Sequence, residues 1–349
     1  MEKNINWLAK KKTNFGKVRK LLNKSYETNQ MTNNGQCVRH LETLVRQYFE
    51  VDDNKAVIVV NNGTVAIQIL AAAIKYENKN IKWATQSFTF PPSKQGNLID
   101  AEIVDIDEEG GIDINKLGRN INGIIVTNIF GNVVNIEKYE KWAQNGNVLI
   151  FDNAATSLTH YRGKNCVNYG TGSSISFHHT KPFGFGEGGA IIVDKEYEKT
   201  VRCLINFGIE LKDDAYYVEE GTNGKMSEIS AAFIIDYLNE NMLRITKKCR
   251  YLYEYMKKMC RKNNMEMFPS FHDDGKIVPA SFTLLLNKSK DVIETLKKNN
   301  VFCRKYYTPL KQTDTTIKLY DRIVCVPCNA DMTKKDIDRI VELIKLKEK

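Results

Sequence analysis

The chain has 349 residues, 42% of them hydrophobic and 27% charged, and its 51 Lys and Arg against 42 Asp and Glu leave a formal net charge of +9. This balance excludes a disordered chain and gives enough length for one large and one smaller domain, each with its own core. No run of 18 apolar residues occurs and the amino terminus lacks the apolar stretch of a signal peptide, so the expectation is a cytoplasmic protein with no membrane partner.

In chain order, the apolar run Ala56–Val60 reads as a buried strand that enters the small-residue turn Asn62-Gly63-Thr64. Thr64–Tyr76 then reads as a helix rich in alanine and isoleucine, and a strand, turn and helix in this order aim backbone N–H groups at a phosphate. Ile124–Val126 is a second strand, Asn135–Gln144 an amphipathic helix, and Val148–Phe151 a third strand that ends in the carboxylate of Asp152. Ser174–Phe177 and Ala190–Val193 follow as strands, and the alternation predicts an α/β domain with a largely parallel sheet. From Ser227 a long helical pattern sets Ala231, Ile234, Ile235, Leu238 and Met242 on one apolar side and bridges towards a second domain. The boundary is placed near residue 240, giving a large domain of residues 1–240 and a small one of residues 241–349. The densest basic tract, Lys247–Lys262, carries Cys249, Leu252, Met256 and Met259 at helical spacing, so it reads as a solvated helix with a core face and no nucleic-acid partner is expected. A net positive field still attracts an anionic small molecule. Shorter strands and helices follow, ending in a helix over Lys334–Ile344. The eight cysteines are scattered, Cys325-Val-Pro-Cys328 is the single C-x-x-C, and His40, His160 and His272 form no ligand spacing, so no metal is expected.

The segment Ser176–Gly189 carries the chemistry. It sets Lys181 between a short strand and Gly184, Gly186, Gly188 and Gly189, which let the chain pass close to a planar ligand. A desolvated lysine held as a free amine is a candidate Schiff-base former. The same glycines satisfy G-x-G-x-x-G, but they lead into a strand where the dinucleotide fingerprint needs a helix, so that reading fails. Asp152 reads either as a helix cap or as the partner of a pyridinium nitrogen, and the small residues after it leave room for a flat ring. His178 and His179, adjacent on an extended chain, face opposite sides.

Together, Asn62-Gly-Thr-Val-Ala66, Ser87-Phe-Thr-Phe-Pro91, Asp152-Asn-Ala-Ala-Thr156, Ser176–Gly189, Gly221–Ala232 and Arg304–Leu310 resemble the successive motifs of the DegT/DnrJ/EryC1 sugar aminotransferases, a group of fold-type I pyridoxal phosphate enzymes. The resemblance implies an aspartate aminotransferase-like α/β fold with a mostly parallel seven-stranded sheet, the first few dozen residues joining a smaller carboxyl-terminal domain, and a homodimer. Lys181 falls on the cofactor-bearing lysine and Asp152 on the partner of the ring nitrogen. Phe90 takes the place of the aromatic that stacks on the ring, and Asn62, Gly63, Thr64 and Ser176 surround the phosphate. Asn223 reaches the site of the neighbouring subunit. The family commonly has a glutamine where this chain has Ala155, and Thr156 is the nearest replacement. His179, Tyr306 and Tyr307 are assigned to substrate. The implied reaction moves an amino group from L-glutamate to C4 of a nucleotide-linked 4-keto-6-deoxy sugar, with C3 amination as the alternative. A dehydratase of the same fold carries histidine in place of the lysine, and a non-catalytic cofactor-retaining protein is the reading supported by Ala155.

Overall fold

A computed structural model describes residues 3–209, 216–268, 274 and 276–348; His272 lies outside them. Its first helices are α1 (Phe15–Glu27) and α2 (Gln36–Tyr48). Asn14 caps α1 by accepting from the N–H groups of Gly16 and Lys17. The residue before α2 is Gly35, which has no side chain to cap with. Buried Glu228 does the work instead, accepting from Cys37 N at 2.7 Å, Val38 N at 2.9 Å and the Ser25 hydroxyl at 2.6 Å. A Cβ at Gly35 would lie 2.5 Å from the Glu228 carboxyl carbon, so this close approach requires glycine.

The sheet is then built from β1 (Lys55–Val60), followed by α3 (Gly63–Glu77), and from β2 (Trp83–Gln86), β3 (Glu102–Val104) and β4 (Gly123–Thr127). After α4 (Ile136–Ala143) comes β5 (Val148–Asp152), then the small hairpin β6 (His160–Tyr161) and β7 (Lys164–Asn165), then β8 (Gly172–Ser176) and β9 (Gly189–Asp194). Seven of these strands form one sheet in the order β1-β9-β8-β5-β4-β2-β3. The pairs from β8 to β3 are parallel, while β9 is antiparallel to both neighbours. The carboxyl ends of β5 and β8 and the start of β9 therefore share one edge, where Ser176 pairs with Gly189 and Gly189 with Val60. Ligands of open α/β sheets bind outside the carboxyl ends of the strands.

Alternation along β1 sorts the core into two layers. Ala56, Ile58 and Val60 pack with the α3 residues Ile67, Leu70 and Ile74, while Val57 and Val59 face the layer that contains α2 and the long helix α6 (Glu228–Lys262). Between them lies α5 (Glu198–Leu204), which joins the α3 layer. The strand and helix expectations hold to within a few residues. The short strands β2 and β3 were not among the apolar runs, and α6 runs unbroken across residue 240.

The carboxyl-terminal part contains β10 (Glu266–Met267), β11 (Ser281–Leu285), α7 (Ser289–Lys298), α8 (Asp314–Arg322), β12 (Ile323–Pro327) and α9 (Lys334–Glu348). Its three strands form an antiparallel sheet in the order β10-β11-β12. Ile5 adds a parallel bridge to Val301, so the chain's first described residues pair with this part. Asp105, just after β3, accepts from the backbone N–H groups of Thr315 and Thr316 at the start of α8, both at 3.3 Å, and from Lys116 Nζ at 2.7 Å. Among the described residues no helix is long and apolar enough to cross a membrane, and no group of three or more His, Cys, Asp or Glu side chains is placed to hold a metal.

Candidate active site

At the shared strand edge lies a cavity of about 570 Å³, and Asn62, Gly63, Thr64, Phe90, Asp152, Ala155, Ser176, Lys181, Tyr306 and Tyr307 all line it. Residues from β1–α3, β5, β8, the turn before β9 and the carboxyl-terminal part thus meet in one place.

Lys181 sits in a tight turn after β8. Its N–H donates to His178 O at 2.8 Å, and Gly184 N–H donates to Lys181 O at 3.1 Å. A Cβ at Gly184 would come within 2.0 Å of His178 O, so the turn exists only with glycine there. Burial lowers the pKa of the Lys181 ammonium, with the charge of Asp152 opposing. The side chain is accordingly biased towards the free amine that nucleophilic attack needs. Asp152 ends β5, where Oδ1 accepts from Ala154 N–H and from the Ser174 hydroxyl, both at 3.0 Å. Burial raises its pKa, while these two hydrogen bonds and the Lys181 charge act in the other direction. Beneath it, Asn153 donates to Cys166 O at 3.2 Å and to Ser173 Oγ at 2.5 Å and accepts from Asn128 Nδ2 at 2.8 Å, which fixes the end of the strand.

The opposite end of the cavity is the first turn of α3. Asn62 Oδ1 accepts from Val65 N–H at 2.9 Å, which leaves the N–H groups of Gly63 and Thr64 in a turn that has no internal acceptors. A Cβ at Gly63 would lie 2.9 Å from Ser176 Cβ and 3.1 Å from its Oγ, so the glycine keeps the space between helix and strand open. An anion is the natural occupant of such a helix start.

Aromatic groups form the remaining wall. Tyr307 stacks on Phe130 with centroids 5.1 Å apart and planes at 5°, Tyr306 lies on Tyr307 at 5.6 Å, and Phe90, 54% exposed, leans on Tyr307 at 5.9 Å. The Arg304 guanidinium lies 5.3 Å from the ring centroids of both Trp7 and Tyr306, and it donates to the Tyr306 hydroxyl. Trp7, Phe130, His178 and Arg304 were not assigned from the sequence. Arg304 lay inside a quoted motif, but Trp7 arrives from a segment with no motif at all.

Two assigned residues do not line this cavity. His179 turns to Phe185, with ring centroids 5.5 Å apart, and His178 is the histidine on the cavity wall, its Nδ1 bonded to the Thr180 hydroxyl at 2.7 Å. Asn223 is exposed; its carbonyl accepts from Asn61 Nδ2 at 3.1 Å. Thr156, the nearest substitute for the missing glutamine, is fully buried and donates its hydroxyl to Asn128 O at 2.6 Å, so it does not take that place. A second cavity, of about 420 Å³, borders Glu42 and Arg202, but those two groups are already paired through both carboxylate oxygens at 3.2 and 3.1 Å.

Comparison with known proteins agrees with this arrangement. The chain is 26% identical to a dTDP-4-amino-4,6-dideoxy-D-glucose transaminase of Escherichia coli, over 93% of each chain. It is 25% identical to a UDP-4-amino-4,6-dideoxy-N-acetyl-beta-L-altrosamine transaminase of Campylobacter jejuni, over 86% of this chain and 87% of the other. A solved putative PLP-dependent aminotransferase of Bacillus cereus superposes with a TM-score of 0.83 at 25% identity, covering 98% of this chain and all of its own. Pyridoxal phosphate fits the residues present: a desolvated amine for its aldehyde, a buried carboxylate for its ring nitrogen, and a glycine-opened helix start for its phosphate. The family model for the DegT/DnrJ/EryC1/StrS aminotransferases matches residues 16–345, nearly from α1 to the end of α9, and the chain belongs to that family of pyridoxal phosphate-dependent enzymes.

Proposed function

We propose that this aminotransferase carries an amino group from L-glutamate to a nucleotide-linked 4-keto-6-deoxy sugar, in the cytoplasm, to give a 4-amino-4,6-dideoxy sugar for surface glycans. The observation that carries the chemistry is the pair of half-buried Lys181 and buried Asp152 lining one cavity, the amine biased towards its neutral form. When bound there, the cofactor supplies the electron sink that stabilises a carbanion at the amino-bearing carbon. Lys181 would hold the cofactor through its amine and, when free of it, would be the base and acid that moves the substrate carbon's proton in both halves of the reaction. Asp152 would keep the ring nitrogen protonated, the N–H groups of Gly63 and Thr64 with the Ser176 hydroxyl would hold the phosphate, and Phe90 would pack on the ring.

The acceptor's class is supported by the wall opposite the floor. Arg304 is exposed, makes no ion pair among the described residues, and lies against two aromatic rings, an arrangement suited to the diphosphate of a nucleotide sugar. Tyr306 and Tyr307 offer a flat surface for the hexose. The names of the two transaminase relatives support amination at C4 and leave dTDP and UDP as equal choices for the nucleotide. Lysine at position 181 speaks against the dehydratase reading. The proposal includes a homodimer in which Asn223, exposed and outside its own cavity, completes the partner's phosphate site. Residues 1–240 form the cofactor-binding part and residues 241–349 the part that closes on the sugar.

The test is to bleach the visible absorbance of the purified holoenzyme with L-glutamate and then offer dTDP- and UDP-linked 3-keto and 4-keto sugars, identifying products by NMR. A product aminated at C4 is expected; amination only at C3, or no response to any amino donor, overturns the proposal.

A further inference from the structure

The loop that carries Lys181 is held by a second lysine far away in sequence. Residues from Ile5 to Asn14 cross the molecule as an extended strap. Ile5 pairs with Asn300 and Phe302, Asn329 Nδ2 donates to Asn6 O at 2.9 Å, Lys10 N–H donates to Asp331 Oδ2 at 2.8 Å, and Asn14 N–H donates to Asp236 Oδ2 at 2.7 Å. The strap is thus fixed to the carboxyl-terminal part at one end and to α6 at the other. Between these anchors, Lys11 Nζ donates to Lys181 O at 2.6 Å and also to Gly184 O. Its ammonium lies 5.0 Å from the ring centroid of Tyr237, whose hydroxyl donates to Pro182 O at 3.3 Å.

We infer that Lys11 is a positioning residue for Lys181: its Nζ ties together the two carbonyls at the ends of the turn 181–184 and so fixes where the reactive amine enters the cavity. The turn's own restraints are few. Gly184 N–H to Lys181 O at 3.1 Å closes it, Lys181 N–H to His178 O and His179 N–H to Gly186 O, both at 2.8 Å, hold its flanks, and the Lys181 and Gly184 carbonyls have Lys11 as their side-chain donor. Burial lowers the Lys11 pKa to about 7, and in either protonation state the nitrogen keeps enough N–H donors to reach both carbonyls, so two hydrogen bonds from outside the turn add to the one that closes it. Because the strap also brings Trp7 to the cavity wall, the same segment shapes the substrate side and the cofactor side of the site.

This inference rests on Lys181 as the reactive amine, and its test is chosen to be independent of which sugar is aminated. Amide hydrogen exchange of the full-length holoenzyme is followed in the segment 178–186, with β4 and β5 as internal references. Lys11→Met is expected to speed exchange at the Lys181 and Gly184 amides by about tenfold, the equivalent of losing one hydrogen bond, with the references unchanged. The half-reaction with L-glutamate slows in parallel, and Lys11→Arg restores most of both. Should the Met variant not fold, Lys11→Gln, whose shorter side chain and neutral amide reach less far, carries the same comparison. Parent-like exchange in 178–186 overturns the inference, as does an equal rise in the segment and the references, which would make Lys11 a general stabiliser of the fold. A normal exchange response with no half-reaction on any amino donor would instead leave the Lys11 contact standing and remove the proposed function.

Discussion

Asp152→Asn separates stability from chemistry at one position. The amide oxygen of asparagine accepts the same two hydrogen bonds that Oδ1 now takes from Ala154 N–H and Ser174 Oγ, both at 3.0 Å, so the end of β5 keeps its geometry. Burial, the largest influence, raises the pKa of Asp152 in the folded chain, so folding favours the neutral carboxyl. Such a contribution is fully present below the unfolded pKa of about 4 and is lost as pH rises through the folded value. The neutral asparagine keeps it at every pH. Cofactor-free Asp152→Asn is therefore expected to melt at or above the parent at pH 7, with the two converging as the pH falls below about 4. Lys181 also loses the charge that raises its pKa and stays at least as available as an amine. On the proposed role of Asp152, what disappears is one charge-assisted hydrogen bond to the ring nitrogen, worth roughly 1.5–3 kcal/mol, or about tenfold to 150-fold in rate. The assay is stopped-flow loss of visible absorbance on mixing the holoenzyme with L-glutamate. A half-reaction at the parent's rate would reduce Asp152 to a cap, and a variant much less stable than the parent at pH 7 would refute the burial argument.

Gly63→Ala puts a methyl group 2.9 Å from Ser176 Cβ, so cofactor affinity, read by absorbance titration, should fall about tenfold or more while the variant stays folded. Glu228→Ala leaves the N–H groups of Cys37 and Val38 at the start of α2 and the Ser25 hydroxyl without their acceptor, and urea denaturation should show a loss of roughly 3–5 kcal/mol. At Asp105 burial pushes the pKa up, but hydrogen bonds from Lys116, Thr313, Thr315 and Ile106 outweigh it and hold the carboxyl below the usual range. Stability from a depressed carboxyl is present above its unfolded pKa and lost as pH falls through the folded one, so the melting gap between parent and Asp105→Asn should be constant above about pH 5 and narrow below about pH 4. On the proposed homodimer, in which Asn223 completes the partner's site, mixing inactive Lys181→Ala with a weakly binding Asn223→Ala variant under subunit exchange should regenerate activity, because one site of each heterodimer would be intact. A confirmed heterodimer with no gain over the separate variants would remove Asn223 from the partner's site.

The sequence by itself determined whatever is encoded locally. Apolar runs bounded by polar turns marked five of the seven strands of the main sheet, the Asn62-Gly63-Thr64 turn announced a phosphate-ready helix start, and glycines after Lys181 announced a backbone that bends sharply around one lysine. The two strands it left out, β2 and β3, are short and carry polar residues such as Thr85, Gln86 and Glu102, so neither has an apolar run to give it away. Of two adjacent histidines the sequence reading takes His179 for the substrate, although alternation fixes only that the two diverge; the turn after β8 puts His178 on the cavity wall. Thr156 is next to Ala155 in the chain, yet its hydroxyl is claimed by Asn128 O, a contact between the ends of β4 and β5 that no local pattern reveals. Trp7, Lys11 and Arg304 reach the site from opposite ends of the chain, and their contacts with one another and with residues 181–184 exist only once Ile5 has paired beside Val301. Strand and turn identity follow from side-chain period and backbone freedom within a few residues, whereas the occupants of a cavity depend on which distant surfaces the packing of the two sheets brings together.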